Sequence, residues 1–123
     1  MTIEHRSFVA EAAIDRSLIL MPGTVAGKLV KATGPTAKLL GTADTGVDVA
    51  ANDMVDLELR PVCTVKLGGN VAWMDPITSD ANGKGVTAAP AAGANVRIIG
   101  YALSAGVLND EIPYLRALST LQG

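Results

Sequence analysis

An all-β domain, a small sandwich or barrel of short antiparallel strands with an N-terminal arm, is the expectation for this chain. Three observations lead there. Residues 55–67, "VDLELRPVCTVKL", alternate apolar and polar side chains with period two. The other apolar runs are short and close on glycine or proline turn signals. Only one stretch, residues 7–16, carries a helical pattern.

Along the chain, residues 1–17 are expected to be an arm and residues 18–123 a single β-rich domain. Within the arm, "SFVAEAAIDR" offers Ser7 as a cap and Phe8, Val9, Ala12 and Ala13 as a stripe, so it reads either as a short helix or as a segment without fixed structure until a partner orders it. The run "LILM" before Pro22-Gly23 is the first confident strand. "KLVKAT" before Gly34-Pro35 and "AKLL" before Gly41 follow. In 55–67 the odd positions Val55, Leu57, Leu59, Cys63, Val65 and Leu67 form the apolar face, and Val62 is the exception on the other face. Pro61 cannot donate to a ladder, so it marks a bulge, a bend or the junction of two half-strands. "VAWM" precedes Asp75-Pro76, and "VRII" precedes Gly100. Between them "DANGK" at 80–84 places Asn82-Gly83 where a hairpin needs positive φ. The same loop lacks the Lys-Ser/Thr pair and following helix of a phosphate cradle, since Gly85 and Val86 come after Lys84. "VTAAPAAGANV" at 86–96 reads as a loop.

Composition narrows the function. The chain has 123 residues, 49% of them hydrophobic and only 18% charged, yet aromatics are 3%. That length supports one core. Small aliphatic side chains bury little area each, so an apolar excess of this kind points to surface covered by other chains. A net charge of −2 gives no basic field for nucleic acid. The single cysteine, Cys63, excludes an internal disulfide framework, and no apolar run reaches the length of a membrane helix. Synthesis in a cytoplasm, and retention there or assembly into a particle, is expected from the charged start "MTIEHRSFVAEAAIDRS", which lacks the apolar stretch of a signal peptide.

Catalytic and metal chemistry find little support. His5 is the only histidine and lies in the arm, Cys63 stands on the apolar face of a strand, and Asp44, Asp48, Asp53 and Asp56 lack calcium-loop spacing. No metal or cofactor is expected. One motif competes: Asp-Thr-Gly at 44–46 resembles the triplet of aspartic proteases, and "IIG" at 98–100 resembles the apolar pair and glycine found across from it in the small homodimeric retroviral-type enzymes. In those, two carboxylates share a proton and activate water. Here Thr42-Ala43 replaces the apolar strand that should lead into the triplet, and Gly106 and Asn109-Asp110 interrupt the helix that should follow "IIG". A protease using Asp44 is therefore an alternative reading.

Taken together, "GGNVAWMD", "DANGKGVT", "NVRIIGYALSAG" and "DEIPYL" resemble the small decoration, or cement, proteins of tailed-phage capsids over about residues 68–116. The resemblance implies a β-rich, commonly trimeric virion protein on the outer capsid surface. Its partners would be the major capsid protein and its own copies, and it would act without cofactor, membrane or direct nucleic-acid contact. In that setting Ile3, Arg6, Phe8 and Val9 of the arm are the expected capsid or subunit contacts. A β-rich tail or head-fibre structural module is the other non-enzymatic alternative.

Overall fold

The structure is a computed structural model that describes residues 5–43 and 48–123. Among them are ten strands and no helix. The first half of the chain builds one five-stranded sheet: β1 (His5–Ala10), β2 (Ile19–Pro22), β3 (Lys28–Lys31), β4 (Gly41–Thr42) and β5 (Met54–Glu58), in the order β4-β2-β3-β1-β5. The second half builds another: β6 (Val62–Lys66), β7 (Pro76–Ser79), β8 (Gly85–Thr87), β9 (Asn95–Ala102) and β10 (Glu111–Gln122), in the order β6-β10-β9-β7-β8. A parallel bridge between Leu67 and Gly85, with Gly68 N–H donating to the Gly85 carbonyl at 2.8 Å, brings the end of β6 back beside β8. The second sheet is thereby a nearly closed barrel.

The alternating stretch is two strands rather than one. β5 belongs to the first sheet and β6 to the second, and Pro61 occupies the corner between them, where its missing N–H costs no ladder bond. Val55, Leu57, Cys63, Val65 and Leu67 are buried, as the odd positions require. Glu58 departs from the pattern. Its side chain is turned inward at the corner, only 8% exposed, with the Arg60 guanidinium 3.5 Å away.

Residues 5–17 correct the expectation of an arm and of a helix over 7–16. β1 is an inner strand, parallel to β3 (Val9↔Lys28, Ala10↔Leu29) and antiparallel to β5 (His5↔Glu58 through Val9↔Met54). Its backbone groups are satisfied from both sides by chain 18 to 53 positions away, and no local turn signal announces such pairing. Ala10 and Ile14 are buried with Leu18, Leu20, Leu29, Val55 and Leu57. The β1–β3 pair is also parallel where antiparallel strands were expected. Residues 1–4 lie outside the described residues.

A second cluster fills the barrel. Cys63, Val65, Leu67, Val71, Ile77, Ile99, Ala102, Ile112 and Tyr114 come from the second sheet and its loops, and Ile19, Ala32 and Leu39 of the first half pack into the same cluster. The 80–84 turn reinforces that junction. Gly83 takes φ +77°, and its carbonyl accepts from Ile19 N–H at 2.7 Å, so a β-carbon there would press on the Ile19 carbonyl and Lys31. The barrel cluster thus draws on both halves of the chain, beside a separate first-sheet cluster.

Candidate functional site

Each candidate for chemistry has a definite place. The 80–84 stretch is a hairpin turn between β7 and β8, as its Asn-Gly predicts. Asp80 Oδ1 accepts from Asn82 N–H at 2.8 Å and Lys84 N–H at 3.0 Å, and Lys84 Nζ donates to Asn109 Oδ1 at 2.8 Å. The loop's own carboxylate uses the donors that an anion cradle would need.

Cys63 belongs to a polar knot at the seam of the sheets. Its thiol donates to the Arg60 carbonyl at 3.1 Å, and burial followed by the Glu58 charge pushes its pKa up. A thiol held protonated is a poor nucleophile and serves here as a donor at the β5–β6 corner. Beside it, Tyr114 OH and Thr42 Oγ1 share a hydrogen bond of 2.9 Å, and Arg116 Nη2 donates to the Leu40 carbonyl at 2.8 Å. Every one of these bonds joins elements that lie far apart in sequence or close the corner. Their chemistry is structural.

The Asp-Thr-Gly triplet at 44–46 lies outside the described residues. Its proposed counterpart, Ile98-Ile99-Gly100, sits within β9 and runs on as strand through Ala102, where the protease pattern needs a helix. Among the described residues no group of three or more His, Cys, Asp or Glu is placed to hold a metal ion.

Of the expected contact residues, Ile3 lies outside the described residues, and Arg6, Phe8 and Val9 stand on β1. Arg6 lies over the Phe8 ring, 5.3 Å from its centroid, and Phe8 packs half-buried on the first-sheet core. The strand brings Arg6 and Phe8 together on one face, with Arg6 exposed, and turns Val9 to the other face.

Exposed apolar surface lies mostly elsewhere. Val62, Trp73, Met74, Val107, Leu108, Leu115 and Leu118 belong to the second sheet and its loops, and among the described residues the large exposed apolar side chains of the first half are Val25 and Met54. Trp73 is 69% exposed at the tip of a braced turn. Ala72 N–H and Thr87 Oγ1 both donate to Asp75 Oδ2, and Met74 N–H donates to the Ala102 carbonyl while Met74 itself takes φ +65°. Sequence reasoning placed the expected contacts in the arm and did not single out these exposed residues. The signal was present in "EIPYL": Ile112 and Tyr114 occupy one face, Pro113 and Leu115 the other, and a strand apolar on both faces is usually covered on both.

No protein-family model matches the chain, and no curated protein matches it. Among solved structures it is similar to the head fibre gp8.5 N base of bacteriophage phi29, with a TM-score of 0.69 and 14% identity over 97% of this chain and 98% of that one. The likeness runs the full length of both chains and is one of fold.

Proposed function

We propose that this chain is a structural protein of a bacteriophage virion, a β-rich module of the head exterior of the head-fibre-base kind. The observation that carries the reading is the end-to-end likeness of fold to the phi29 head fibre base, in which both sheets take part. The Thr42–Tyr114 and Arg116–Leu40 hydrogen bonds join the two sheets and the Cys63 thiol is bonded within the β5–β6 corner, which favours a structural role for these groups over catalysis. In this reading the partners are the major capsid protein and further copies of the chain, a homotrimer following from the decoration-protein resemblance. Arg6, exposed on β1 and stacked on Phe8, is a candidate contact, and Val9 is a candidate on the opposite face of the same strand. Work of this kind is done by added contact area and needs no cofactor.

The cement role is the second reading, favoured by the turn-and-strand pattern over residues 68–116. Adding purified protein to undecorated expanded heads of the phage that encodes it separates the two. A head-fibre module anchored at few sites, without bridging neighbouring subunits, binds and raises the heat resistance of the shell little. A cement protein raises that resistance in proportion to occupancy, because a ligand of the expanded state stabilises it by about RT ln(1 + [L]/Kd) per site. Absence of binding to heads, together with recovery of the protein from purified tails, overturns both.

A further inference from the structure

The outer face of the second sheet breaks the rule that an antiparallel sheet is apolar inside and polar outside. Register places Val62, Leu115, Tyr101 and Pro76 side by side across β6, β10, β9 and β7. The neighbouring row, Cys63, Tyr114 and Ala102, is buried in the barrel, so the Leu115 row faces outward. One step further along, Thr64 lies opposite Pro113. Leu103 N–H donates to the Pro113 carbonyl at 3.0 Å, and Met74 N–H to the Ala102 carbonyl at 2.7 Å, which extends this second outward row through Leu103 to Met74. None of these eight residues is charged. Val62, Met74 and Leu115 are 49%, 41% and 39% exposed, and exposed Trp73 directly precedes Met74 in the chain. On the first sheet, by contrast, Ser7 donates to Asp56 across β1 and β5, an ordinary polar pair.

We propose that this face is where copies of the chain pack against one another. Four strands about 4.8 Å apart and two rows about 7 Å apart cover roughly 250–300 Å², before Trp73 and Leu118 are added. That is the apolar centre of an interface whose full share is roughly 800 Å² per partner. The charge around it selects the occupant. The next outward pair is Lys66 opposite Glu111, whose carboxylate also lies 3.9 Å from Arg16 of the first half. A centre without charge, on a chain of net charge −2, attracts neither a polyanion nor an anionic membrane. Such a surface is complementary to itself: apolar centre meets apolar centre, and each copy offers a base where the other offers an acid. Across a two-fold the patch meets itself, and around a three-fold one flank of it meets the opposite flank of the next copy.

The inference rests on the self-association in the reading above, and one experiment separates them. Sedimentation velocity over a concentration series would compare the wild-type chain with Leu115→Lys, Val62→Lys and, as a control on the exposed part of the first sheet, Met54→Lys. The wild type is expected at a multiple of 12.6 kDa. Each second-sheet substitution is expected to move dissociation to roughly tenfold or higher concentrations, and the control to leave it unchanged. Both target positions are exposed, and far-ultraviolet dichroism of the dissociated variants should retain the wild-type spectrum. An oligomer unaffected by either substitution overturns the face and leaves self-association standing. A wild type that is monomeric throughout overturns both. A monomer whose retention on expanded heads is lost with Leu115→Lys assigns the face to the shell and overturns the second copy as its occupant.

Discussion

The Tyr114 hydroxyl lies wholly buried, hydrogen-bonded to Thr42 across the seam of the two sheets. Burial, the largest cause, pushes its pKa up from an ordinary 10.0, and burial likewise pushes Cys63 up from 9.0. Both groups are neutral when protonated, so the folded state resists losing these protons while the unfolded chain does not. Their contribution is complete below pH 9.0 and declines as the pH rises through the ordinary values toward the raised ones. Urea midpoints measured from neutral pH to about pH 11 should therefore hold up to pH 9 and fall beyond it, and in Cys63→Ala the fall should begin only near 10. A flat alkaline profile would count against the buried assignments. A second comparison concerns neighbours on β5. Leu57→Ala should cost about 2–5 kcal/mol, because the side chain is enclosed by the first-sheet core. Glu58→Ala should cost about 1–3 kcal/mol, as it removes the partner of Arg60 at the corner, and equal negligible losses at both positions would contradict the packing. Leu57 was legible from alternation. Glu58 was not, since alternation assigns it to solvent and only the turn at Pro61 directs it inward.

Gly100 shows what an element can require that a motif search misreads. It takes φ +155° in β9, and a β-carbon there would collide with the Leu115 carbonyl of β10, beside the register shift between Arg116 and Ser119. The glycine of "IIG" is thus a close-approach residue between two strands. Gly100→Ala should lose about 2–4 kcal/mol in equilibrium unfolding, with the folded fraction still giving a β-type dichroism spectrum; a neutral effect would show that the strands can separate freely there. Turn chemistry was more transparent. Asn82-Gly83 announced the β7–β8 hairpin, and Pro61 announced a break, because positive φ and a missing N–H are properties of the residues themselves. The helical stripe over 7–16 misled because Phe8, Val9, Ala12 and Ala13 fit a helix locally, whereas pairing with β3 and β5 satisfies the same backbone with partners no window of that length contains.

At the level of the whole molecule, β1 is the central test. Deleting residues 2–9 removes most of an inner strand, leaves the facing edges of β3 and β5 unpaired and opens the cluster around Ala10, Leu29 and Val55. The truncated protein should lose its cooperative thermal transition by circular dichroism, whereas an unchanged melt would restore the segment to the status of a detachable arm. With the barrel cluster drawing Ile19, Ala32 and Leu39 from the first half, the intact protein should melt in a single transition. The all-β character, the burial of Leu57, Cys63 and Val65, the break at Pro61 and the turn at Asn82-Gly83 all follow from periodicity and from backbone preferences that act over a few residues. The assignment of β5 and β6 to different sheets, the insertion of β1 between β3 and β5, and the alignment of Val62, Leu115 and Tyr101 into an outward apolar row do not. They depend on pairings such as Phe8 with Val55 and Val62 with Leu115, between residues some fifty positions apart, and the free energy of such contacts exists only once the chain has closed on itself.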